Sequence, residues 1–224
     1  MRTSRLSTAS LVAAMLLGAL CLMILTSGVS PQWFEQVHDP AAYAHALRRD
    51  GSWLRTLLFV DDAFIAAYVI ASVTLASALA NGSWRPLPVL VAIGGVGAGV
   101  LDLAENHHVL GLLRIAELER AVPMSEILRR AELSQLKWMV AHLAFTAVGV
   151  AMPRYGHRVA RWFRYSLIFV QLPLGAAAWV ATTPWLSTTL GWGRLLGFVA
   201  GFAVIAWLYA DRDAADGAET GVPG

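Results

Sequence analysis

Cysteine, charge and catalytic signatures are all scarce in this chain. Its one cysteine, Cys21, lies in an apolar run, which excludes an intrachain disulfide and any cysteine-based metal knuckle. Charged residues make up only 14% of the 224, the net charge is +2, and the arginines are scattered over loops without a dense basic block. That pattern gives nucleic acid nothing to bind, despite a pI near 9.0. There is no Gly-x-Ser-x-Gly, no His-Glu-x-x-His and no Gly-rich loop ending in Lys-Ser/Thr, so serine hydrolases, zincins and P-loop enzymes are disfavoured. Without an internal repeat of roughly 20 to 50 residues, symmetry gives no support to an inverted-repeat transporter.

What the chain has in quantity is apolar surface. Hydrophobic residues reach 57% and the mean hydropathy is +0.58, far from the balance of a soluble domain. The expectation is an all-α, multi-pass integral membrane protein. Six spans are predicted: Ser10 to Thr26, Leu54 to Ala80, Leu87 to Leu113, Leu136 to Met152, Tyr165 to Thr182 and Leu190 to Ala210. Residues 1–210 then form a single transmembrane helical domain, and the small, acidic tail Asp211 to Gly224 is expected to be disordered. Arg2 and Arg5 before Leu11 to Leu25 look like the start of a secretory signal, with Gly28-Val29-Ser30 as a small-residue cleavage site. The apolar run of about 17 residues favours a retained first span, with a cleaved signal as the alternative. Leu20 before Cys21 argues against a lipoprotein signal.

Asn81 to Pro86 is short enough to make the second and third spans a hairpin, with Pro86 and Pro88 suited to a first helical turn. The fifth and sixth spans form another through the turn at Pro184. Ser30 to Trp53 and Arg114 to Gln135 read as interfacial amphipathic helices, the second broken at Pro123. Trp53, Trp84, Trp138, Trp162, Trp185 and Trp192 fit aromatic belts at span ends. Gly95/Gly99 and Gly197/Gly201 are GxxxG pairs for close helix packing, within the chain or between copies in an oligomer. Lys and Arg are too evenly divided between the two sides to set the orientation.

The anomaly is the third span, which carries Asp102, Glu105, Asn106, His107 and His108 in its second half. Ionisable groups inside a span face a bundle interior or a watery cavity and mark a functional site by default. With a rise of about 1.5 Å per residue, Asp62, Asp102, Glu105 and Lys137 fall about 22 to 28 Å above the same face and share one layer. Asp61, Asn106 and Gln135 lie nearby, and His142 is nearer mid-bilayer. Asp102, Glu105 and His108 follow an i, i+3, i+6 spacing along one side of their helix. Asp62, more than the adjacent Asp61, is expected to face the layer. Asp102 and Glu105 would be an acid/base pair, with Lys137 holding the charged carboxylate, Asn106 orienting it, and Asp61, His108, His142 and Gln135 as relay or supporting residues. The same layer would equally serve a proton relay, and structural glue between helices is the plain alternative.

No metal or other cofactor is expected. Glu105-x-x-His108 is half of a di-metal carboxylate pattern whose second half is absent. His108 and His142 lie about 18 Å apart in height, too far to share a haem. The segments Leu58 to Tyr68 (LFVDDAFIAAY), Leu101 to Leu110 (LDLAENHHVL) and Gln135 to Trp138 (QLKW) resemble a pattern in little-characterised bacterial multi-pass membrane proteins. In that pattern an Asp in one helix is followed by Leu-Asp-x-x-Glu-Asn in the next and then by a Lys. The resemblance implies a bacterial inner-membrane location and groups Asp62, Asp102, Glu105, Asn106 and Lys137, without an activity attached. The functional expectation is an enzyme or binder for a hydrophobic lipid or isoprenoid-like molecule, with membrane lipids as partners. A proton-coupled carrier or channel and an assembly subunit of a membrane complex are the alternatives.

Overall fold

The computed structural model describes residues 2–80, 84, 86–153, 156–181 and 183–220. Within them the chain forms α1 (Arg2–Ser27), a 3-10 turn (Pro31–Glu35), α2 (Pro40–Leu79), α3 (Pro86–Glu117), α4 (Met124–Ala151), α5 (Arg158–Phe169), α6 (Gln171–Val180) and α7 (Pro184–Thr220), with no strand among the described residues. The fold is all-helical. Four of the helices, α1, α2, α3 and α7, are long and apolar enough to cross a membrane, which marks the chain as a membrane protein.

The elements differ from expectation where local breakers are present or missing. Asp39 caps α2 by accepting the Ala41 and Ala42 amides, and Pro40 stands in the first turn. Nothing then interrupts the helix for 40 residues, because Gly51 is packed under Leu113. The predicted interfacial helix and second span are therefore one rod, with only the 3-10 turn left between α1 and α2. Pro123 does break the Arg114 to Gln135 segment, but both pieces extend α3 and α4 above the apolar region. The predicted fifth span is two helices. Pro173 has no N–H for the carbonyl one turn earlier, and the helix breaks at Val170. Helix α7 continues to Thr220, into the stretch expected to be a disordered tail, while 221–224 lie outside the described residues.

The rods pack in a ring: α1 against α2, α2 against α3, α3 against α4, α4 against α5 and α6, these against α7, and α7 back against α1. Exposed Phe59 on α2, Val89 to Leu103 on α3 and Leu136 and Met139 on α4 form an outer apolar band. Above that band the surface carries ion pairs, Arg55 with Glu117 and Arg49 with Asp50. We term this end, which also holds the 3-10 turn, the upper end. Trp84, Trp162 and Trp185 are exposed near helix ends as belt residues should be, whereas Trp138 is buried in the ring.

Gly95 and Gly99 face inward, onto Ser72 and Val69 of α2. A Cβ on Gly95 would collide with the Ser72 side chain. Gly95→Val should therefore lower unfolding stability by about 1–3 kcal/mol through overpacking, measured by denaturant titration in mixed micelles. Gly97→Val, nearly free of neighbours, is the control and should change little.

Candidate functional site

The polar layer lies inside the ring at the level where the outer apolar band ends. Its centre is Lys137, placed on the inner face of α4 two turns below Arg130. The Lys137 ammonium lies 2.9 Å from Asp102 Oδ1, 2.5 Å from Glu105 Oε2 and 3.4 Å from Glu35 Oε1. Arg130 closes on the other oxygen of Glu105. Glu105 and Arg130 are 1% and 2% exposed, so this is a fully buried ion pair. On the α2 side, the Asn106 amide donates to both Asp61 (2.8 Å) and Asp62 (2.9 Å), and among the described residues neither acid has an ion-pair partner. Tyr68 donates its hydroxyl to Asp102 Oδ2 at 3.2 Å.

The 3-10 turn completes the layer from above. Phe34 is buried, Tyr43 donates its hydroxyl to the Phe34 carbonyl, and Glu35 points down to accept the Trp138 indole N–H at 3.0 Å. Burial alone would raise the Glu35 carboxyl. The Lys137, Arg194 and Arg130 charges and the indole N–H outweigh it and hold the group down at about 2.

Of the residues singled out from sequence, Lys137 meets Asp102 and Glu105, Asn106 meets Asp61 and Asp62, and the two groups share the wall of one cavity. Asp61, not Asp62, reaches the cavity wall. The other three stand apart. His108 turns to Glu126 of α4 at 2.9 Å, at the upper rim. His142 is buried lower down, beside Gln171 Oε1 at 3.1 Å and against the bare backbone of Gly175. Gln135 is exposed on the wall of the upper vestibule and makes no contact with the Lys137 group among the described residues. Sequence reasoning missed Glu35, Tyr68, Arg130 and Arg194. The seven-residue spacing from Arg130 to Lys137 and the arginine inside the sixth predicted span were the available signals. Glu35, in a short irregular segment, gave none. Among the described residues no group of three His, Cys, Asp or Glu side chains is arranged to hold a metal ion.

Three cavities surround this layer. An inner one of about 120 Å³ is lined at its top by Asp61, Tyr68, Asp102, Glu105, Asn106 and Lys137 and lower down by Gly94, Ala98, Ala144 and Phe145. Ser72, Ala144, Phe145, Phe198 and Phe202 are shared with a deeper, mostly apolar cavity of about 310 Å³, flanked by the break at Val170. Gly193, Gly197 and Gly201 of α7 line that deeper space, and a Cβ on Gly197 would meet nothing. Gln32, Glu35 and Trp138 separate the inner cavity from an upper vestibule of about 550 Å³. No protein family, curated protein or solved structure matches the chain.

Proposed function

We propose that the protein is a multi-pass component of the bacterial inner membrane that binds, and acts on, an amphiphilic lipid or isoprenoid-like molecule. In this reading α4 and the broken α5–α6 rod cross the membrane along with the four apolar helices, making six crossings. The observation that carries it is the pair of adjoining cavities, polar at the top and apolar below, which share Ser72, Phe145, Phe198 and Phe202 as walls. A molecule with a polar end and a hydrocarbon chain fits that gradient, since ligand sites pair an apolar lining with a few placed polar groups.

The geometry redistributes the chemical roles. Glu105, clamped between Arg130 and Lys137, is a charged brace. Asp102 and Asp61 stand on the cavity wall with Glu105 and Glu35. Asp102, held by Lys137 and Tyr68, fixes the polar end of the ligand. Asp61, held with Asp62 on one amide and without a cation in contact, is the wall acid that would pass a proton to the ligand. A transmembrane proton path is less favoured, because the deeper cavity offers only Ser10, Ser72, Ser166 and Gln171 as polar lining.

Lipid extracts of the purified protein test the reading. Wild type should retain a distinct lipid, and Gly197→Phe, whose ring would enter open space, should lose it while remaining folded. Asp61→Asn should keep the lipid bound but abolish any turnover of it. If wild type and Gly197→Phe carry the same lipids in the same proportions as the bulk membrane, the reading fails.

A further inference from the structure

Arg194 is a buried cation without a counter-charge in contact. It is 9% exposed, its Nε is buried without a hydrogen-bond partner, and among the described residues no carboxylate forms an ion pair with it. Its one close partner is the Trp138 ring, with the guanidinium carbon 4.0 Å from the centroid. The other two buried cations behave differently: Arg130 and Lys137 each touch carboxylate oxygens. Glu35, the acid nearest in charge terms, is spent on Lys137 and Trp138. A guanidinium carries five donors and no acceptor. Burying it without an acceptor is costly, and the usual resolution is a bound partner.

Arg194 opens into the upper vestibule. On the same wall stand Ser187 and Thr188 from the first turns of α7, with the Gln32 amide opposite. Gly191 keeps the space between them clear, since a Cβ there would press on Gln32 Oε1 at 3.2 Å.

We propose that Arg194 anchors an oxyanion site in the vestibule that takes a phosphate group. The planar guanidinium fork matches two phosphate oxygens, and the Ser187 and Thr188 hydroxyls and the Gln32 amide supply further donors. The phosphate arrives either free from the upper solvent or on a lipid headgroup. The site stands whether or not the inner cavities hold a hydrocarbon chain.

Two measurements on the full chain distinguish the sources. Equilibrium dialysis in neutral detergent reads binding of inorganic phosphate. Native mass spectrometry from nanodiscs reads retention of phosphatidic acid against diacylglycerol, which lacks the phosphate. Saturable phosphate binding or selective retention of phosphatidic acid is expected in wild type. Arg194→Gln should weaken it about ten- to hundredfold, the range for losing a charge-assisted hydrogen bond or two, and Arg194→Lys should restore part of it. Thr188→Trp fills the vestibule from an exposed position, keeps Arg194, and should also abolish binding, which covers the case in which Arg194→Gln does not fold. Wild type that binds neither probe overturns the proposal, as does binding that survives both Arg194→Gln and Thr188→Trp. Loss of lipid in Gly197→Phe with phosphate binding intact would separate this site from the inner cavities.

Discussion

Arg130→Met should destabilise the bundle by about 3–5 kcal/mol, the loss expected when one partner of a buried ion pair is removed. Methionine keeps most of the volume, so the loss is electrostatic. Glu105, 1% exposed, would be left to Lys137 alone, and Lys137 is already shared with Asp102 and Glu35. Glu105→Gln, which strands Arg130 instead, should fall in the same range. The pair's net contribution is far smaller than either loss, because the desolvation of two ions offsets most of their attraction. The double variant Arg130→Met/Glu105→Leu should therefore recover most of the stability lost by either single change. Unfolding in mixed micelles across this cycle reads the coupling directly. A double variant as unstable as the sum of the singles would show that the two side chains act independently.

Acid should loosen the upper end of the ring first. The folded Glu35 carboxyl, at about 2, lies below its ordinary value of 4.5. A depressed carboxylate contributes stability in full above its unfolded value and loses it as pH falls through the folded one. The contribution is thus present at neutral pH and disappears between about pH 4.5 and 2. The gap corresponds to about 3 kcal/mol. Glu35→Gln removes the ionising group, so its stability should be lower at pH 7 and nearly flat through the acid window. Fluorescence of Trp138, whose indole N–H is bonded to Glu35, should report the change in wild type. A wild-type acid slope that persists unchanged in the glutamine variant would assign the titration to another group.

The sequence carried the layer but not its balance of charge. Counting residues along three helices brought Asp102, Glu105, Asn106 and Lys137 to one height, because helical rise is a fixed length and hairpin partners share a baseline. Height says nothing about rotation around the helix. So His108, on the same side of α3 by spacing, is drawn to Glu126, and Gln135, two residues before Lys137, stands exposed on the vestibule wall. Arg130 was read as the polar face of an interfacial helix. The segment instead continues α4, which swings the guanidinium into the interior. Element boundaries failed where a composition change was mistaken for a structural one. Charged residues from Arg48 to Asp50 suggest a separate piece before the second span, but nothing in the backbone there stops a helix. At Pro173 the opposite happened, and one apolar run concealed a break.

The ring also dictates the order in which the protein can be completed. Ser7 of α1 donates its hydroxyl to the Ala206 carbonyl of α7 at 2.8 Å, so the first and last rods are neighbours. Ribosomal synthesis makes α1 well before α7. Until α7 is inserted, α1 has only one flank covered, and the layer around Lys137 is open to one side. Helix α7 therefore carries Arg194 into a bundle where Arg130 and Lys137 already hold Glu105 and Asp102, and its arrival closes the cavities.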